Sequence, residues 1–310
     1  MSALTISSAP RALGQSGISC FPIAYGCWRF AGTDVATART KVEAALQAGI
    51  DLFDHADIYG VDGDGRFGDA EALFGEVLAE APELRERMTI ATKGGIVLGR
   101  PYDSSAQWIR QACEDSLRRL QVDVIDLYQI HRPDFLGHPA ELAGVLTALK
   151  EEGKIRAVGV SNYTASQFRA LQAHLPFAIA THQPEFSCWN YSPLRDGVID
   201  QCMELGVTPM AWSPIAGGRL FSSADSEANA ADGARLTDLQ GALDAVAQAQ
   251  GVDRTAVALA WLLAHPAGVI PIIGTQRVDR IQQSIKALSV TLDRATWNQI
   301  LVAAQGEPLP

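Results

Sequence analysis

Short apolar runs alternate along this chain with longer segments whose apolar positions recur at i, i+3, i+4 and i+7. The runs are 20–26 (CFPIAYG), 50–54 (IDLFD), 88–93 (MTIATK), 124–131 (VIDLYQIH), 155–161 (IRAVGVS), 177–183 (FAIATHQ), 207–213 (VTPMAWS) and 268–274 (GVIPIIG), and they read as eight strands. Helical periodicity covers 36–49, 69–81, 105–121, 138–153 and 194–206, with glycine closing several of these segments at Gly49, Gly153 and Gly206. Strands joined through single helices imply right-handed crossovers and a parallel sheet, and eight such units close into an α/β fold of the (β/α)8 TIM-barrel type. A turn signal at Gly14 to Gly17 predicts a short N-terminal β-hairpin, and residues 292–304 predict an extra C-terminal helix. Between 214 and 240 the chain turns polar and glycine-rich, which predicts a long loop after the seventh strand.

Composition adds bounds. A chain of 310 residues with 47% hydrophobic and 19% charged residues is globular in character, and a barrel of about this size folds around one core, so residues 1–310 are expected to form a single domain. The formal charge of −10 and the lack of a basic patch argue against nucleic-acid or anionic-membrane partners. Five cysteines without CxxC spacing suit a reducing compartment, and neither a signal-like apolar region at the start nor an 18-residue uncharged apolar run is present, so a cytoplasmic location is expected.

The chemistry concentrates where the runs end, which in such a barrel is the functional face. Lys93 finishes the third run although the chain has only five lysines, and a buried ammonium needs a partner. Asp54 ends the neighbouring run and supplies the opposite charge. Tyr59 follows within reach, and a cation beside it is expected to lower its pKa from about 10 toward neutrality, as suits a general acid. His131 adds a hydrogen-bond donor from the fourth run.

In FDHADIYG, ATKGG and LYQIH, and along nearly the whole chain, the sequence resembles the aldo-keto reductases. The resemblance implies a tetrad of Asp54, Tyr59, Lys93 and His131 that reduces a carbonyl with a nicotinamide cofactor. It further implies that Ser161, Asn162 and Gln183 hold the carboxamide and that Trp212 stacks on the nicotinamide ring. Ser213, Pro214, Ile215, Gly217 and Arg219 would face the pyrophosphate, with Gly26, Cys27 and Trp28 lining the same cleft. For the adenosine end it implies Gly274, Thr275, Gln276, Arg277, Arg280, Gln283 and Ser284. Gly274 stands where the family often has lysine, yet Arg277 and Arg280 favour NADPH over NADH. His55 replaces the family's usual small residue after the aspartate, and the 60–71 loop is longer than the family norm.

The expected activity is reversible reduction of an aldehyde or ketone to an alcohol, with Tyr59 as acid. The small-molecule substrate would meet a mouth formed by Trp28, Phe30, Tyr59, His131 and Trp189. Two rival readings use the same barrel. One is a non-catalytic cofactor-binding redox sensor. The other is a metal-dependent hydrolase built on His55, His131 and His182 with Asp51, Asp54 and Asp57, although the aldo-keto reductase reading itself implies no metal.

Overall fold

The computed structural model describes residues 3–61, 65–227 and 229–309. A two-stranded antiparallel hairpin, β1 (Arg11–Ala12) and β2 (Ser19–Cys20), precedes the first βα unit, β3 (Ala24–Gly26) and α1 (Val35–Gln47). Then come β4 (Leu52–Asp54), α2 (Asp69–Glu80), β5 (Thr89–Gly94), a small hairpin of β6 (Ile96–Val97) and β7 (Arg100–Tyr102), and α3 (Ala106–Leu120). The middle of the chain forms β8 (Ile125–Ile130), α4 (Pro139–Glu151), β9 (Ile155–Ser161), α5 (Ala165–Gln172), β10 (Thr181–Gln183) and α6 (Val198–Leu205). It closes with β11 (Thr208–Ala211), α7 (Ala230–Gln250), α8 (Arg254–Leu263), β12 (Ile270–Ile273), α9 (Val278–Gln283) and α10 (Arg294–Gln305). Strands β3, β4, β5, β8, β9, β10, β11 and β12 pair in that order into a closed parallel barrel. This is the (β/α)8 architecture the periodicity predicts.

Alternate residues of each strand point into the barrel. Toward the N-terminal end these are apolar: Ala24, Leu52, Ala91, Leu127, Ala157 and Ile270 cluster with Leu13, Ile18 and Cys20 of the β1–β2 hairpin, which plugs that end. Gly14 and Thr208 fasten the plug, since Gly14 donates its N–H to the Thr208 hydroxyl and that hydroxyl donates to the Ala12 carbonyl, both at 2.8 Å. One turn higher the inward residues become polar, and glycine at 159 makes room for them. A Cβ there would lie 2.1 Å from the Thr181 hydroxyl and 2.9 Å from Gln129 Cγ, so no other residue fits without moving the barrel wall.

Three features differ from the sequence expectation. The predicted 214–240 loop is mostly ordered: a 3-10 segment spans Ala216–Phe221, and α7 begins at Ala230. Asn229 caps that helix by accepting from Asp232 N–H, while Gly233, Leu236 and Leu239 bury against the core. The alanine-rich composition is helix-favouring, and its apolar spacing is diluted by small residues that still pack. Two helices rather than one therefore connect β11 to β12, and β6–β7 is an unexpected hairpin. The stretch 60–71, read as one long loop, ends earlier because α2 begins at Asp69; residues 62–64 within it lie outside the described residues, as does Ala228 in the 214–240 segment. Among the described residues, no helix is long and apolar enough to cross a membrane.

Candidate active site

The polar layer at the C-terminal end of the barrel centres on Lys93, which is fully buried. Its ammonium uses all three donors, on Asp54 Oδ2 at 2.7 Å, the His55 carbonyl at 2.8 Å and the Tyr59 hydroxyl oxygen at 3.2 Å. Because lysine donates to the phenol oxygen, the tyrosine's own proton stays free to be given elsewhere. Asp54 Oδ1 accepts from Gln183 Nε2 at 3.0 Å and Gln129 Nε2 at 3.2 Å, so both carboxylate oxygens are satisfied. Tyr59 is held from its backbone: its N–H donates to the Ala56 carbonyl and its own carbonyl accepts from Ala70 at the start of α2. His131, continuing β8, faces it edge-on with ring centroids 5.9 Å apart.

The electrostatics correct one expectation. Burial raises the Tyr59 pKa, Lys93 lowers it, Asp54 raises it again, and the balance leaves it above its ordinary value rather than pulled toward neutrality. Desolvating a phenolate outweighs one nearby cation. The phenol is therefore fully protonated at neutral pH, which suits a proton donor. Burial also opposes the Lys93 charge, but Asp54 and Tyr59 together raise its pKa. His131 is pushed well below the usual histidine range by burial, then by Lys93 and Arg132, so it is a neutral imidazole.

Strand parity separates the histidines that the metal reading grouped. His131 points inward, whereas His55 and His182 follow inward-facing Asp54 and Thr181 and point out into the helix layer. His55 packs edge-on against Phe74 with centroids 4.5 Å apart, and His182 stacks on Phe168 at 5.7 Å. The three do not converge on one point, and no cluster able to hold a metal occurs among the described residues.

These buried neutral rings carry a prediction. Burial lowers the pKa of His55 to about 3 and that of His182 to about 4, with His131 also far down, against 6.5 for a free histidine. Below pH 6.5 the unfolded chain binds three protons that the folded chain refuses, so stability is complete above that pH and falls as the pH drops. Asp57 has the opposite sign: burial, then Glu71, raises its carboxyl well above normal, so the folded state holds a proton the unfolded state has released. His55 and His182 together cost about 2 kcal/mol between pH 6.5 and 5.5, His131 adds to that loss, and Asp57 offsets part of it. Urea unfolding at the two pH values measures it, and His55→Phe should reduce the loss by about a third of the histidine contribution. A stability unchanged over this window would contradict the account.

Other predicted site residues divide. Trp212 is half-buried at the mouth, and its indole N–H donates to Asn162 Oδ1 at 2.9 Å. Asn162 in turn donates to Ser161 Oγ at 2.7 Å and lies 3.4 Å from the His131 carbonyl. Asn162, Ser213 and Ala216 adopt left-handed backbone at φ of 58°, 50° and 53°, a conformation non-glycine residues seldom take unless their surroundings hold it, and all three sit at the β9 and β11 ends. Trp28 is exposed at the rim, under the Arg29 guanidinium. Pro214 is buried and Ile215 half-buried behind Trp212.

Phe30 is not a mouth residue. It is fully buried and packs against His55 and Phe74, because the first βα loop folds back onto the helix layer. Trp189 is also withdrawn, clasped between the Arg219 and Arg235 guanidinium groups. The Cys27 thiol is wholly buried, so that position offers only backbone to the cleft. Ser284 donates its hydroxyl to the Ile281 carbonyl inside the fold, while Gln283 is exposed. Arg219 is paired with Glu227 at 3.1 Å, and Arg277 forks onto Asp279 at 2.7 and 3.0 Å. Gln276 links Lys41 to Tyr25. Gly274 is exposed, and the Thr275 hydroxyl accepts the Arg277 N–H. Gln129 and Thr181, which brace Asp54 from below, were missed by sequence reasoning; a glutamine inside the otherwise buried VIDLYQIH run was the available signal.

A lysine–aspartate pair under a phenol, faced by a neutral imidazole at the C-terminal mouth of a (β/α)8 barrel, defines an oxidoreductase barrel. The model of the aldo/keto reductase family matches residues 22–303, and the chain belongs to that family of NAD(P)H-dependent enzymes. A 6-dehydroglucose reductase from Novosphingobium aromaticivorans is 54% identical over 100% of both chains. A second 6-dehydroglucose reductase, from Agrobacterium fabrum, is 41% identical over 92% of this chain and 94% of its own. Among solved structures, a glycerol dehydrogenase from Gluconobacter oxydans superposes with a TM-score of 0.81 at 25% identity, covering 99% of this chain and 97% of that one.

Proposed function

We propose that the enzyme reduces the terminal aldehyde of a polyhydroxylated sugar, 6-dehydroglucose, to the primary alcohol, with NADPH preferred as cofactor. The observation that carries this reading is the 54% identity, over the full length of both chains, to a reductase of that name. In this reading Tyr59 gives its phenol proton to the carbonyl oxygen as charge develops there, Lys93 holds the phenol oxygen and stabilises its anion, and Asp54 keeps lysine charged. His131, neutral, donates a hydrogen bond to the same oxygen.

Several features support a nicotinamide dinucleotide along the strand ends. Trp212 offers a half-buried indole face fixed at its edge by Asn162. Gly217 and Gly218 leave bare backbone, with nothing within 4 Å of where a Cβ would stand. When bound, the cofactor supplies hydride to the carbonyl carbon. Ser161, Asn162 and Gln183 would hold the carboxamide and orient the ring. Of the two adenosine-end arginines, Arg280 is exposed and carries no ion pair among the described residues, whereas Arg277 is occupied by Asp279.

The test is kcat/KM for 6-dehydroglucose with NADPH and with NADH, with glucose assayed as product. NADPH should be favoured, and Arg280→Ala should lower efficiency with NADPH by about 10-fold or more while NADH changes little and Arg277→Ala has the smaller effect. No glucose formed with either cofactor would overturn the substrate; equal losses with both cofactors would overturn the NADPH assignment.

A further inference from the structure

Arg132 follows His131 directly and is half-buried at the barrel mouth. Its guanidinium carbon lies 5.6 Å from the centre of the Trp212 ring, and it is close enough to His131 to help suppress the imidazolium. No carboxylate pairs with it and no hydrogen bond fixes it among the described residues, unlike Arg219, Arg235 and Arg277. The contact with the indole holds the guanidinium at the mouth and leaves its N–H donors unspent among the described residues. Neither the phenol–lysine–aspartate chain nor the Trp212–Asn162 contact uses it.

Set beside both His131 and Trp212, the guanidinium would lie within reach of the carbons next to a carbonyl whose oxygen sits between Tyr59 and His131. An alkyl chain would cover the donors without satisfying them, which costs free energy. Hydroxyl oxygens on the neighbouring carbons would accept from them instead. We propose that Arg132 is the specificity-determining residue of this site, reading hydroxyl oxygens next to the reacting aldehyde and rejecting plain alkyl aldehydes. The inference rests on the sugar-aldehyde reading above and assigns it to a residue.

D-Glyceraldehyde and propanal share a three-carbon frame and differ only in hydroxyls, so their kcat/KM ratio isolates the effect. The wild type should favour glyceraldehyde by about 10-fold or more, and Arg132→Leu should collapse the ratio toward one by losing about 10- to 100-fold on glyceraldehyde while propanal moves less than about 3-fold. Arg132→Gln, which keeps an uncharged pair of donors and carries the test if the leucine variant does not fold, should fall between. NADPH affinity, read by titration of tryptophan fluorescence, should be unchanged in both variants. A wild type without the preference overturns the sugar-aldehyde reading and this inference with it. A preference that survives Arg132→Leu, or a loss of NADPH affinity that lowers both aldehydes alike and places the guanidinium on a cofactor phosphate, overturns the inference alone.

Discussion

Tyr59→Phe should lower kcat by roughly 10²- to 10⁴-fold, the usual magnitude for loss of a general acid, with cofactor affinity little changed. The substitution keeps the ring that faces His131 and removes only the hydroxyl, whose oxygen is held by Lys93 at 3.2 Å. Because burial raises the phenol's pKa, the wild type should show no decline in reduction rate between pH 7 and 9 assignable to Tyr59. Single-turnover rates with an aldehyde, wild type against variant, measure the effect. A variant keeping more than about a tenth of the wild-type rate would remove Tyr59 from the role.

Lys93→Met should be costly in two ways that can be measured apart. Lys93 and Asp54 are an ion pair at 2.7 Å with side chains 0% and 3% exposed, so removing the cation strands a buried carboxylate and should destabilise the fold by about 3–5 kcal/mol. Gln129 and Gln183 still donate to Asp54 and should hold the loss to the lower part of that range. Activity should fall at least as far as in Tyr59→Phe, because the phenol then loses the donor that stabilises its anion. Adding Asp54→Asn to Lys93→Met should restore much of the stability and none of the activity, since the double variant buries no unpaired charge. Denaturant unfolding and turnover of the three variants decide it. If the double variant is as unstable as the single, the cost does not arise from the stranded charge.

The barrel and the placement of the candidate site at its mouth were legible because they depend on local periodicity. Seven of the eight observed barrel strands fall within the apolar runs, β5 extends one residue past its run to Gly94, and β9 coincides with its predicted run. The order in which Asp54, Tyr59, Lys93 and His131 end successive strands, or follow them, was likewise visible, as a parallel barrel brings consecutive strand ends together whatever fills its core. Parity was legible too, though unused: Asp54 and His55 occupy opposite faces because neighbouring strand residues must, which alone separates His55 and His182 from His131.

What only the tertiary structure decided is how each polar group is solvated and with whom it pairs. Nothing in the order of residues shows that the Lys93 ammonium reaches the His55 carbonyl, that Gln129 braces Asp54 from two strands away, or that Arg277 folds onto Asp279 while Arg132 keeps its donors free among the described residues. The sign of the Tyr59 shift turned on the same point. A cation nearby was foreseeable, but the loss of water around the phenol comes from the packing around it, set by segments as distant in sequence as α2 and β8. Proximity along the chain indicates which charges can meet. Desolvation, which decides which of them keeps its proton, depends on the packing of the whole barrel around them.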